Sequence, residues 1–283
     1  MVELHSIDDV RRWRAAQRAA GRRVGFVPTM GYLHEGHLSL VTAARAESDV
    51  VLMSIFVNPL QFGPAEDLAT YPRDLPRDRA LAAGRGVAAL FLPTAETMYP
   101  TGSEVRVVPG AVASRWEGEA RPGHFAGVLT VVAKLFHLVE PDVACFGQKD
   151  VQQVTLVRQM VRDLDFPLTV RVVPTSRDPD GLARSSRNAY LSPAEREEGL
   201  GLSRALRHGC DRFAAGVVEA RALEAEMREV LARHAGLAVE YISVVAPDTL
   251  VPVHEAGPDT VVVVAARAGR TRLIDNVILG EGL

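Results

Sequence analysis

Apolar residues along this chain gather in short runs of strand length, separated by longer stretches of helical character. Residues 24–28, 50–57, 88–92, 143–146 and 168–173 are such runs, and the second (VVLMSIFV) is apolar almost without interruption. A strand that alternates apolar and polar positions buries one face, whereas a continuous apolar run buries both. Residues 36–47, between the first two runs, read as a helix. Strands buried on both faces and separated by helices predict a parallel sheet covered on both sides, a doubly wound, Rossmann-like α/β domain. In such sheets ligands bind beyond the carboxyl ends of the strands, so the residues that follow each run are where chemistry is to be sought.

The pattern changes over residues 177–188, which are polar and turn-rich (RDPDGLARSSRN). Two helical stretches follow, at 193–209 and 218–235, and then strand-like runs at 239–245, 260–266 and 271–274. Helices followed by strands predict a second, smaller α/β domain. The expected division is residues 1–176 and residues 177–283, and a length of 283 residues accommodates two domains.

Composition narrows the possibilities. At 47% hydrophobic and 24% charged residues the chain has the balance of a globular protein with a core that needs no staple. A net charge of -3 gives it no global electrostatic reason to bind nucleic acid. The Arg-rich stretch at 11–23 reads as the solvated face of a helix. The two cysteines, Cys145 and Cys210, are far apart and form no CxxC, which fits a reduced, cytoplasmic setting rather than a disulfide framework. Acids near the N-terminus argue against a signal peptide, and no window approaches the roughly 20 apolar residues of a membrane helix. No membrane partner is expected.

Four segments bear chemistry. In PTMGYLHEGH a strand ends, a glycine turn follows and a helix begins, with His34 and His37 three residues apart on one helical face. A helix N-terminus offers free N–H groups and a positive dipole end, and two imidazoles there could donate to phosphate oxygens. Helix capping by His34 and a metal pair are the alternatives, the second lacking a third ligand of clear spacing. In FVNPLQFGP, Asn58, Gln61 and Phe62 stand where the second strand hands over to a loop. A Gln amide both donates and accepts and so suits hydroxyls and a carboxylate, although Asn-Pro is also an ordinary turn opener. In FGQKDVQQ, Gly147 turns the chain after a strand, Lys149 and Asp150 stand at the mouth, and Gln153 follows four residues after the lysine. Lysine there suits a polyphosphate, while a Lys–Asp neighbour pair is also a common surface ion pair. In GLARSSRNAYLS two hydroxyls and Arg187 share a loop able to clamp phosphate, or a linker leading to a helix that starts at Ser192-Pro193.

Taken in order, PTMGYLHEGH, FVNPLQFGP with YPRD behind it, RPGHFAGVLTVVAKL, FGQKDVQQ and SSRNAYLS resemble the signatures of the pantothenate synthetase family, within the HxGH nucleotidylyltransferase superfamily. The resemblance is strong over residues 24–192. It implies an ATP- and Mg2+-dependent condensation of D-pantoate with β-alanine through a pantoyl adenylate, with release of pyrophosphate and AMP. It further implies that His34, His37, Lys149 and Arg187 are catalytic. ATP would be bound by Met30, His34, His37, Gly147, Lys149, Asp150, Ser185, Ser186 and Arg187. Pantoate would lie against Gln61, Gln153, Met30 and Phe62. Asn58, Arg121 and His124 would lie toward the pyrophosphate or the amine. No protein side chain is expected to ligate the metal, the second domain would act as a lid, and a homodimer is expected. Two positions depart from the family pattern: Leu60 replaces a common Met, a swap that conserves volume, and Arg184 precedes the serine pair in place of an apolar residue. The rivals are a related nucleotidyltransferase acting on a phosphate substrate, a fragment of an aminoacyl-tRNA synthetase, and a non-catalytic nucleotide sensor.

Overall fold

A computed structural model describes residues 1–64 and 66–283. The chain divides into two compact units: Met1–Gly147 with Gln152–Pro174, and Gln148–Val151 with Thr175–Leu283.

The first unit contains β1 (Val2–Leu4), α1 (Ile7–Ala19), β2 (Val24–Thr29), α2 (Glu35–Glu47), β3 (Val50–Ile55), α3 (Leu75–Gly84) and β4 (Ala89–Phe91). Two short helices follow, α4 (Ala95–Met98) and α5 (Glu117–Ala120), and then α6 (His124–Val139), β5 (Val143–Gly147), α7 (Val151–Asp163) and β6 (Thr169–Val173). The strands form one parallel sheet in the order β1-β4-β3-β2-β5-β6. Successive side chains of a strand point to opposite faces, and the central strands fill both. Phe26, Leu52, Ala144 and Phe146 join a core with α6 and α7, while Val27, Val51, Met53, Val143 and Cys145 join a second core with α2 and α3. That is the doubly wound arrangement the apolar runs predict. The strand order reverses between β2 and β5, so the carboxyl ends of those two strands flank the switch point where such sheets hold ligands.

The run at 168–173 differs from expectation. β6 is an edge strand with Thr169 and Arg171 exposed, and Arg171 pairs with Glu47 at 2.5 Å. Its aliphatic residues cover one side of an edge rather than the middle of a sheet. β1 has three residues, too few for periodicity to mark it.

The second unit holds α8 (Pro193–Ala214) and α9 (Ala220–Ala232), then an antiparallel meander of β7 (Leu237–Val245), β8 (Val261–Ala268) and β9 (Thr271–Ile278). Its core joins Leu202, Leu206, Leu223, Met227, Val244, Val262, Val264 and Val277. Ser192 caps α8 reciprocally with Glu195, and Pro193 occupies the first turn, where its missing N–H costs nothing. The helix continues past Gly209, where the pattern suggests a stop. That glycine serves packing, because a Cβ there would lie 2.5 Å from the Met227 sulfur. β9 likewise runs beyond residue 274 through the buried polar pair Asp275 and Asn276. Asp275 receives two hydrogen bonds from Arg177, at 2.6 and 2.9 Å.

Candidate functional site

The loop after β2 is built from long-range hydrogen bonds. Thr29 Oγ1 donates to the Ser54 carbonyl at 2.8 Å and accepts from Gly31 N–H at 3.2 Å. Gly31 (φ +87°) and then Tyr32 (φ +50°) take left-handed conformations, the second at a cost of about 1–2 kcal/mol for an L-residue. The carboxylate of Asp78, on α3, holds this bend by accepting from Tyr32 N–H at 2.8 Å and Leu33 N–H at 2.7 Å. Asp78 is buried, which raises its pKa above the ordinary carboxylate value even though the two backbone donors oppose the shift.

The bend delivers His34 to the N-cap of α2. Its Nδ1 accepts from Gly36 N–H at 3.1 Å, and His37 Nδ1 accepts from His34 N–H at 3.3 Å, with the two rings 4.1 Å apart. Capping is therefore realised, and it engages Nδ1 of each ring. A backbone N–H only donates, so each Nδ1 it faces accepts, and the ring proton lies on Nε2. Two Nε2–H donors beside a helix N-terminus suit an anion. Among the described residues no group of three His, Cys, Asp or Glu side chains is placed to hold a metal ion.

Beyond β3, the 3-10 turn Pro59–Gln61 carries Gln61, which is buried, and Met30 lies beside it: Gln61 Nε2 is 3.3 Å from the Met30 sulfur. Asn58, 1% exposed, bonds to Gln61 Oε1, the Gly127 carbonyl, Leu60 N–H and the Tyr99 hydroxyl. Phe62 packs edge-on against Tyr71, with ring centroids 6.0 Å apart. Arg121 forms a two-pronged pair with Glu66 at 2.9 and 2.5 Å and a third bond to His124 Nε2 at 3.0 Å. His124 Nδ1–H donates to the Gln61 carbonyl at 2.8 Å. Burial, seconded by the Arg121 charge, pushes the His124 pKa down to about 4, so the ring is neutral. Asn58, Arg121 and His124 thus commit their polar atoms to supporting residues around Gln61. The adjacent glutamines on α7 have different tasks. Gln152 is buried and clamps Glu117 N–H and the carbonyls of Val112 and Arg115. Gln153 is half-buried and has no protein hydrogen-bond partner among the described residues. Gly147 ends β5.

In the second unit the 3-10 turn Gln148–Asp150 presents Lys149, whose side chain is 19% exposed and 3.9 Å from Asp150, itself half-exposed. Asn276 fastens this turn: its Nδ2 donates to the carbonyls of Gln148 at 2.8 Å and Lys149 at 2.9 Å. The serine loop follows a tight turn in which Asp178 N–H meets the Leu182 carbonyl and Gly181 has φ +98°. Ser185 caps the 3-10 turn Ser186–Tyr190 by accepting from Arg187 N–H, and Ser186 is buried. Arg184 turns back to Asp178 at 3.0 Å and to the Arg177 carbonyl at 3.2 Å, so its charge is engaged at the base of the loop.

Sequence reasoning passed over Asp78, Asn276, Gln152, Glu66 and Tyr99. Each acts through contacts dozens of residues away, and no local spacing marks them. Of the candidate residues, the first unit carries His34, His37, Gln61, Gln153 and Arg121, and the second carries Lys149, Ser185, Ser186 and Arg187.

Comparison with known proteins gives a consistent result. A family profile described as pantoate-beta-alanine ligase matches residues 3–278. A pantothenate synthetase of Moorella thermoacetica is 51% identical over 99% of both chains. The crystal structure of pantothenate synthetase from Thermus thermophilus superposes with a TM-score of 0.94 at 47% identity, over 99% of both chains. That of the pantoate-beta-alanine ligase from Francisella tularensis, complexed with beta-gamma ATP and beta-alanine, gives 0.82 at 35% identity, covering 99% of this chain and 98% of that one.

Proposed function

The chain belongs to the pantoate-beta-alanine ligase family, and we propose that it condenses D-pantoate with β-alanine at the expense of ATP. In the first step the pantoate carboxylate attacks the α-phosphorus of ATP, pyrophosphate leaves, and pantoyl adenylate forms. In the second the β-alanine amine attacks the acyl carbon, AMP leaves with the bonding electrons, and the amine proton passes to solvent or phosphate. Adenylyl transfer asks for positioning and charge stabilisation more than for covalent participation.

The observation that carries this reading is the pair of imidazoles at the start of α2, each oriented by a backbone N–H at its Nδ1, with the two rings side by side at the helix N-terminus. His34 and His37 steady the charge that builds on the phosphates. Lys149, Ser185, Ser186 and Arg187 hold phosphate oxygens, and Met30, Gly147 and Asp150 line the nucleotide. Gln61 and Gln153 bind pantoate, with Met30 and Phe62 against its methyl groups. Asn58, Arg121 and His124, expected toward the pyrophosphate or the amine, act from behind by bracing Gln61. Residues 1–176 bind both substrates and residues 177–283 serve as a lid that excludes water from the adenylate. Mg2+ would be carried on ATP phosphate oxygens rather than in a protein cage. When bound it supplies charge neutralisation at the phosphates. The family resemblance also implies a cytoplasmic homodimer. Among the described residues no helix is long and apolar enough to cross a membrane.

The test is isotope exchange between pyrophosphate and ATP with D-pantoate and Mg2+, without β-alanine. Exchange that depends on pantoate is the expected result. Exchange supported only by a different acid would retain adenylation and discard the substrate.

A further inference from the structure

The oxygen and nitrogen of a side-chain amide occupy nearly equivalent places, and the neighbours decide which is which. At Asn58 two backbone groups decide it. Leu60 N–H can only donate and faces Oδ1 at 3.3 Å; the Gly127 carbonyl can only accept and faces Nδ2 at 3.1 Å. The second Nδ2 hydrogen then points to Gln61 Oε1 at 3.0 Å, and the second lone pair of Oδ1 accepts from the Tyr99 hydroxyl at 2.9 Å. Asn58 is 1% exposed, so a rotated amide would bury donor against donor and acceptor against acceptor. With Oε1 engaged, Gln61 has its Nε2 turned toward the Met30 thioether, a weak acceptor that a ligand oxygen displaces.

Tyr99 is held in turn. Burial raises its pKa, which keeps the hydroxyl protonated and donating, and the Lys134 ammonium sits 5.7 Å from its ring centroid while bonding the Met98 carbonyl. The close approach of α6 to residues 60–61 depends on Gly127, where a Cβ would lie 2.2 Å from the Leu60 carbonyl oxygen.

We propose that Asn58 and Tyr99 are positioning residues that fix the polarity of the Gln61 amide, so that Gln61 meets the acid substrate only as a hydrogen-bond donor and selects an acceptor oxygen, carboxylate or hydroxyl, at that point. This rests on the assignment of Gln61 to the pantoate site. It replaces a direct role for Asn58 with one exercised through Gln61.

The experiment is steady-state kinetics with D-pantoate and ATP titrated separately, on Gln61→Ala, Asn58→Asp, Tyr99→Phe and the two double variants with Gln61→Ala. A carboxylate at position 58 only accepts, so it draws Gln61 Nε2 toward itself and turns Oε1 to the ligand. Asn58→Asp is expected to raise KM for pantoate about tenfold or more, with KM for ATP within about threefold of wild type. Tyr99→Phe, a smaller perturbation that keeps the ring, should shift KM for pantoate in the same direction by a few-fold. In the Gln61→Ala background both effects should vanish, because the residue they act through is gone. Independent, multiplicative effects would overturn the relay while leaving Gln61 on pantoate. If Gln61→Ala alone left KM for pantoate unchanged, the underlying assignment would fall and the proposal with it.

Discussion

Lys149 is the one Lys in a turn whose two leading carbonyls are fixed by a buried asparagine on β9. A cation held by its backbone and only 19% exposed in its side chain is pre-positioned, and so loses little freedom when it meets phosphate. Lys149→Ala should lower pantoate-dependent pyrophosphate exchange by about 10²-fold or more, as when a transition-state donor is removed. A near-normal exchange rate would take Lys149 out of the chemistry. The neighbouring Arg184 illustrates the opposite outcome: an arginine in a catalytic-looking segment that is tied to Asp178. Cys145 is likewise structural, since burial in the sheet pushes its thiol up to about 12 and leaves it an unreactive apolar filler.

At the scale of elements, the contact between α6 and the turn at 59–61 has the least tolerance. The Cβ of an alanine at Gly127 would meet the Leu60 carbonyl oxygen at 2.2 Å and Gln61 N at 2.6 Å, both backbone atoms that cannot swing aside. Gly127→Ala should cost about 1–3 kcal/mol in urea unfolding, and it should also raise KM for pantoate because it moves the turn that carries Gln61. A variant of full stability and unchanged KM would show that α6 shifts as a whole. The same logic explains the loop before α2. Asp78 on α3 offsets the strain at Tyr32 by accepting two backbone N–H groups, so a helix remote in sequence sets the entry angle of the histidine-bearing helix.

Over the whole molecule, stability carries a pH dependence that His124 makes specific. Its pKa is about 4 in the folded chain against an ordinary value of 6.5, so between those values the unfolded chain binds a proton that the folded chain refuses. Folding stability therefore falls as the pH drops from 6.5 toward 4, by roughly 3 kcal/mol. Glu66 acts in the same direction at lower pH: burial raises its pKa but the Arg121 pair outweighs that and holds it below the ordinary value of 4.5, so its stabilising contribution is lost as the pH falls below that value. His124→Asn keeps a donor for the Gln61 carbonyl and does not titrate. Its urea midpoint should fall less between about pH 7 and about pH 4.5 than that of the wild type. Parallel curves for the two proteins would remove His124 as the cause.

What the sequence by itself determined lies within the reach of a strand or a helical turn. Continuous apolar runs announced strands buried on both faces, and the order of runs and helices announced a doubly wound sheet followed by a smaller helix-then-strand segment. Five motifs named the family, and with it the residue types needed for adenylation. Tertiary structure alone decided what depends on contacts between distant segments. It made β6 an edge, which no local pattern distinguishes from a central strand. It turned Gly209 from a helix stop into a packing site against Met227. It separated the two adjacent glutamines, burying Gln152 as a clamp and leaving Gln153 without a protein partner among the described residues. It also chose the orientation of the Gln61 amide, because a side-chain amide has two equally good faces until two fixed backbone groups, Leu60 N–H and the Gly127 carbonyl, leave its neighbour only one.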